Sequence, residues 1–369
     1  MVRFIDLPAE LVVRIIDVAE ASFMDDVTFP ISHARKMTLL KFSRVSRAWR
    51  VPSQMALHRR LFLVTDAGAR RFIECPIAGR YPTRFLQLAH LTSTLVNLVL
   101  DKLIVRQQDR AALQVLKLFE VERLHVWSLC HPALRDLKDL QVLSNVEGSM
   151  PPDLLTLRLH KLGFRTSFPY NQPGVLEAII AASRDTLEHI KIGFLDSMTG
   201  IDITPRPLVM VGPTLTVWTE LNLVASRLLG VCFAGLLEGH SNPCKRFLAN
   251  CSNLVEFELD GSSLVETMLE ALSPHARLRK LAVGQNNRET QWDLDPSQAP
   301  KTVLRLKRIL PQLSKLRQLE LTDHTRMTVR RLQRSGDMDW LADLQREHVH
   351  VQFPEPINEH SITRSVAHK

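Results

Sequence analysis

The sequence predicts an α/β protein: a short N-terminal bundle of three helices, followed by an irregular repeat whose strands line up in a curved, mostly parallel sheet. Three observations carry that expectation. Roughly the first 60 residues hold amphipathic stretches at helical spacing, LPAELVVRII and LLKFSRVSRAW. From there on, apolar pieces of the form L-x-x-L-x-L recur along the chain. Between them lie longer amphipathic segments such as PGVLEAIIAASRDT and LVETMLEALSPHARL.

Composition bounds the rest. The 369 residues are 45% hydrophobic, enough for a substantial core, and contain no apolar run long enough to span a bilayer. Asp6 and Glu10 interrupt the place where a signal peptide needs apolar residues, so a cytoplasmic or nuclear location is expected. The five cysteines, 75, 130, 232, 244 and 251, form no CxxC and suit a reducing compartment. The net charge of +8 is concentrated. Residues 27–65 carry eight Lys and Arg and no acid, and residues 301–335 carry ten against Glu320 and Asp323. Two separated basic blocks suggest two acidic contacts and not one nucleic-acid groove.

In the N-terminal unit Pro8 suits a first helical turn, and Leu11, Ile15 and Val18 form one stripe beside a second of Val12, Ile16 and Ala19. A second helix is expected to carry Leu39, Leu40, Phe42, Val45 and Trp49, and Val51-Pro52-Ser53 to open a third. Three short helices can bury one stripe each. The surplus requires either the rest of this chain or a partner.

The pattern Leu7-Pro8-x-Glu10-Leu11-x-x-x-Ile15, then Leu39-Leu40 and Phe42-Ser43-Arg44-Val45-Ser46-Arg47-Ala48-Trp49-Arg50, resembles the F-box. That resemblance covers about a sixth of the chain. It implies a partner, the Skp-family adaptor, and through it a cullin of an SCF-type ubiquitin ligase. It assigns Leu7, Pro8, Leu11, Ile15, Leu40, Val45 and Trp49 to adaptor contact or box packing. The stretch 21–37 is longer than the family's usual connection and reads as a looped insertion.

The repeat pieces align from Leu95, Val121, Leu137, Leu154, Leu187, Trp218, Leu254, Leu278 and Leu316. The bare pattern would occur about a dozen times by chance, so the alternation with amphipathic segments, RAALQVLKLF among them, carries the weight. Spacings vary from 16 to 38 residues. A degenerate leucine-rich-repeat-like solenoid is expected over 63–352, after a helical unit at 1–62 and before a tail at 353–369. The first, fourth and sixth positions of each piece face the core, and the third and fifth line an exposed strand face. That face puts forward Arg123, His125, Arg158, His189, Lys191, Glu256 and Glu258 as a candidate substrate surface, with Trp292 as an exposed anchor.

No GxSxG, phosphate-binding glycine loop or HExxH is present, and the spacing around Cys232, His240, Cys244 and Cys251 matches no zinc site. No catalytic residue, cofactor or metal is expected. The reading is a non-catalytic receptor for an unidentified protein substrate, with no membrane contact. The alternative is a scaffold outside a ligase that touches nucleic acid or acidic surfaces through 301–335, where amphipathic spacing and the lack of aromatics disfavour nucleic acid.

Overall fold

The computed structural model describes residues 7–21, 29–76, 81–106, 113–144, 146–148, 155–167, 174–195, 215–234, 241–260, 265–272, 275, 277–284, 306, 308–321 and 350–352. The chain is mixed α/β, built on parallel strands with helices between them. It divides into two compact units, Met1–Arg165 with Tyr170–Thr186, and Thr166–Pro169 with Leu187–Lys369.

The first unit opens with helices α1 (Ala9–Ala21), α2 (Phe29–Phe42) and α3 (Arg47–Arg59). Pro8 starts α1 as expected, its carbonyl accepting from the amides of Leu11 and Val12. Val12, Ile16, Leu39, Trp49 and Ala56 form the core of the three helices, with Leu7, Ile15, Phe42 and Leu57 packed against it. Two boundaries differ from the sequence reading. Helix α2 takes in Phe29–Met37, so that part of the expected loop is helical, while residues 22–28 lie outside the described residues. The run Phe42–Arg50 is not one helix. Turn bonds from Arg44 and Val45 to Lys41 and Phe42, and the Ser43 hydroxyl on the Leu40 carbonyl, close α2. Extended Ser46 then starts α3, which contains Trp49 and has Pro52 in its interior.

The rest of this unit runs β1 (Arg60–Leu63), α4 (Asp66–Glu74), β2 (Phe85–Ala89), α5 (Ser93–Arg106), β3 (Val115–Phe119), β4 (Leu124–His125), β5 (Asp139–Leu143), β6 (Val146–Glu147), β7 (Lys161–Ser167) and α6 (Val175–Ala182). Strands β1, β2, β3, β5 and β7 pair in that order, all parallel, and β4 pairs β6 separately. Thr65 caps α4 through a 3.1 Å bond from Gly68 N, and Glu177 accepts from Gly174 N at the start of α6. His90 and Glu120, which follow β2 and β3, both take positive φ (54° and 47°), and His90 Nδ1 meets Glu120 Oε2 at 3.1 Å.

The second unit runs β8 (His189–Leu195), α7 (Leu215–Val224), β9 (Gly230–Ala234), α8 (Ser241–Asn250), β10 (Glu256–Asp260), α9 (Val265–Ala271), β11 (Lys280–Gly284), β12 (Gln318–Leu321) and β13 (His350–Gln352). These six strands also pair in chain order and in parallel.

The expected frame is present at these strands, but often not where it was placed. LVNLVLDKL is helix α5, with Leu95, Val96, Val99, Leu100 and Leu103 buried and Leu98 exposed. WTELNLVAS lies largely in α7, with Trp218, Leu221 and Val224 buried and Leu223 exposed. Conversely RAALQVLKLF, read as helical, contains β3, where Leu113, Leu116 and Leu118 are buried. The piece from Leu154 shifts forward onto Leu159, Leu162 and Phe164 in β7. Strands β1 and β2 escape the alignment because His58 and Thr83 stand at the first position, where the pattern demands an aliphatic, whereas β9 fits it with Leu228, Val231 and Phe233 and is passed over in favour of the piece from Trp218. Thr83 is nevertheless fully buried.

Candidate functional site

Three surfaces in this architecture set exposed apolar or charged side chains together. The first is on the helical bundle. Of α1's two apolar stripes, Val12 and Ile16 are buried, while Leu11 is 46% and Val18 66% exposed. Seven of the ten exposed large hydrophobics among the described residues lie between Leu11 and Met55, so the surplus apolar surface concentrates here. Among the residues implied by the resemblance, Pro8, Leu11 and Val45 are exposed and Leu7, Ile15 and Leu40 are half-buried. Trp49 is buried, its ring 5.4 Å from that of Phe42, and packs the bundle.

The second surface is the open face of the sheet in the second unit. Parallel register places His189, Gly230, Glu256, Lys280, Gln318 and His350 in one row, and Lys191, Cys232, Glu258, Ala282, Glu320 and Gln352 in the next. Residues two apart on a strand share a face, so both rows lie on the same side. The opposite face, with Ile190, Ile192, Val231, Phe233, Phe257, Leu259, Leu281 and Val283, is buried. Lys191 reaches over buried Cys232 to Glu258 at 3.3 Å, and Lys280 meets Glu320 at 3.0 Å. The imidazole of His189 lies over Gly230 so closely that any Cβ there would collide with its Nδ1. His189, Lys191, Glu256 and Glu258 thus lie together on one face.

The other residues of the expected substrate face are not. Arg123 and His125 belong to the turn and short strand around β4, which pairs only with β6. Arg123 takes a positive φ of 49°, and His125 Nδ1 accepts from Trp127 N. Arg158 is exposed but precedes β7. Trp292 lies outside the described residues, as do 301–305 and 322–335 of the second basic block. Within that block Leu306, Ile309, Leu310 and Leu313 are buried, in keeping with its amphipathic spacing.

The third surface was missed by sequence reading. In the first unit, one row runs Arg60, Phe85, Val115, Asp139, Lys161 and the next Phe62, Gln87, Lys117, Gln141, Gly163. The Phe62 and Phe85 rings are 5.3 Å apart. The Arg60 guanidinium lies 4.8 Å from the Phe85 ring centre and 6.0 Å from that of Phe62, and Lys117 Nζ lies 5.7 Å from Phe85. Arg60 Nε and Nη1 are buried without a hydrogen-bond partner. Burial, then the nearby charge of Arg35, lowers the pKa of Arg60, and Glu20 opposes that shift. The signal that could have found this face is the same L-x-x-L-x-L frame, read with His58 and Thr83 admitted at its first position.

The five cysteines are thiols, none of them in a disulfide. Burial pushes the Cys251 thiol up to about 12 and raises Cys244 further, which makes both poor nucleophiles and ligands. Among the described residues no three His, Cys, Asp or Glu side chains are grouped to hold a metal, and no helix is long and apolar enough to cross a membrane. No model of a known protein family matches the chain, and no curated protein matches it.

Proposed function

We propose that the chain is a non-catalytic substrate-recognition adaptor, joining a target protein to an SCF-type ubiquitin ligase through a Skp-family adaptor. In this reading helices α1–α3 are an F-box, and the ordered parallel strands behind them are an irregular leucine-rich-repeat-like solenoid. The observation that carries it is the split between the two stripes of α1: Val12 and Ile16 fill the core, while Leu11 and Val18 stand exposed. A short bundle that exposes apolar side chains on a helix bearing an F-box-like sequence supports docking of a partner there. Chemistry belongs to the assembly, and this chain would act by raising the target's local concentration.

The test is co-purification of the full chain with the Skp-family adaptor. Leu11→Asp is expected to abolish the complex while shifting unfolding stability by no more than about 0.5 kcal/mol, since the side chain is already half in water. Trp49→Ala is expected to lose the complex by a different route, costing about 3–5 kcal/mol of bundle stability. Failure of the wild-type chain to bind, or full binding by folded Leu11→Asp, sinks the reading.

A further inference from the structure

The rim of the second unit's sheet, where the strands begin, carries cations that no acid opposes. Strands β11 and β12 are each entered through an arginine whose amide donates to the strand before: Arg279 N to the Val255 carbonyl and Arg317 N to the Arg279 carbonyl, both at 2.8 Å. That ladder stands Arg279 and Arg317 side by side, about 5 Å apart along the rim. The turns ahead of them match, with Leu278 N on the His275 carbonyl and Leu316 N on the Leu313 carbonyl, so Arg277 and Lys315 occupy equivalent places. All four side chains are exposed. Among the described residues none of them meets a carboxylate. Arg277 Nη1 donates to the neutral Asn253 amide oxygen, Arg317 Nη1 to the Leu316 carbonyl, and Arg279 and Lys315 form no bond. Glu258, Glu320 and Glu270 are matched to Lys191, Lys280 and Arg308. Glu256, in register with Lys280, stands on the open face, the opposite side of the sheet from Arg279. Like charges on adjacent strands repel, and here the donors stay open to water with no acid between them.

We infer that the rim cluster of Arg277, Arg279, Lys315 and Arg317 binds an aspartate- or glutamate-rich segment of the target polypeptide. The inference names the chemistry of the target, and it rests on the receptor reading in assigning the segment to a target. Charge complementarity selects an anion, and the planar guanidinium forks match carboxylates. Nucleic acid is disfavoured by extent. A run of phosphates needs a basic track, whereas this row gives way to Val255 and Leu229 on the next two strands and then to exposed Glu188. Bases would find no platform either, since Trp218, Phe233, Phe247 and Phe257 are all buried. A lipid surface calls for apolar side chains beside the cations, and the described rim has no exposed large hydrophobic.

The experiment follows the fluorescence anisotropy of a short labelled oligoglutamate peptide titrated with the full chain alone, with oligoglutamine, a phosphoserine-containing peptide and oligothymidylate as comparison probes. Oligoglutamate is expected to bind, more weakly as salt rises, and oligoglutamine not to. The double variant Arg279→Gln with Arg317→Gln should weaken binding about tenfold or more. Arg70→Gln with Arg71→Gln removes an equal charge from exposed positions on α4 of the first unit and should leave binding within about twofold of the wild type. Thermal unfolding by circular dichroism establishes that each variant is folded. Should the rim double variant fail to fold, Lys315→Gln decides, with a loss of about threefold expected. Three results overturn the assignment: no binding of oligoglutamate, an equal loss in the α4 variant and the folded rim variant, or tighter binding of the phosphopeptide or oligothymidylate that the rim substitutions abolish. Failure here is separable from failure of the ligase reading, because the rim variant should still co-purify with the Skp-family adaptor. Leu11→Asp should conversely bind the peptide normally even where adaptor binding is lost.

Discussion

Glu20 and Arg35 are each 3% exposed and lie in contact, tying α1 to α2 inside a bundle whose interior is, apart from these two and Ser53, apolar. Arg35 also donates to the Ala56 carbonyl at 2.8 Å, which brings in α3, and to the Arg60 carbonyl at 3.4 Å, which brings in β1. Two charges removed from water cost nearly as much as their attraction returns, so the pair adds little net stability while intact. Removing one partner is another matter. Glu20→Gln strands a buried guanidinium and is expected to lower unfolding stability by about 3 kcal/mol, read as a reduced urea midpoint. A loss below about 0.5 kcal/mol would mean that water reaches Arg35 in solution. In sequence, Glu20 and Arg35 were two charges among many, because 15 residues separate them and no local pattern joins them.

At the scale of elements, the informative errors are α5 and α7. LVNLVLDKL satisfies the strand frame at Leu95, Leu98 and Leu100, yet also satisfies helical spacing at Leu95, Val96, Val99, Leu100 and Leu103. Burial decides between them: Val99 is fully buried and Leu98 is 43% exposed. The two assignments make opposite demands on adjacent residues. Val99→Ala is therefore expected to cost about 1–2 kcal/mol and Leu98→Ala no more than about 0.5 kcal/mol in chemical denaturation. The reverse order would restore the strand. For β3 the same ambiguity ran the other way, since RAALQVLKLF can be written on a helix as easily as on L-x-x-L-x-L. The choice follows from the neighbours. Val115–Phe119 lies between β2 and β5 with five-residue register on each side, an arrangement no window of sequence contains.

At the scale of the molecule, each compact unit is a row of parallel strands in which every strand touches the next in its row. Contacts of that kind transmit a local loss mainly to near neighbours. Leu254→Ala, at a fully buried position just before β10, is expected to speed hydrogen exchange in β9, β10 and β11 while leaving the amides of β1–β3 unchanged. Equal acceleration in both units would show one cooperative block. The sequence by itself determined the kind of molecule: helices at the start, a recurrent six-residue strand frame afterwards, and two apolar stripes on α1 that one small bundle cannot both absorb. Those are short-range patterns, and hydrophobic periodicity encodes them directly. Only the tertiary structure decided which repeats of the frame are strands, which α1 stripe stays outside, and that Arg60, Phe85 and Lys117 share a corner. The reason is physical: a residue's face and partners depend on the strand beside it, and parallel pairing brings together residues some 25 to 30 positions apart.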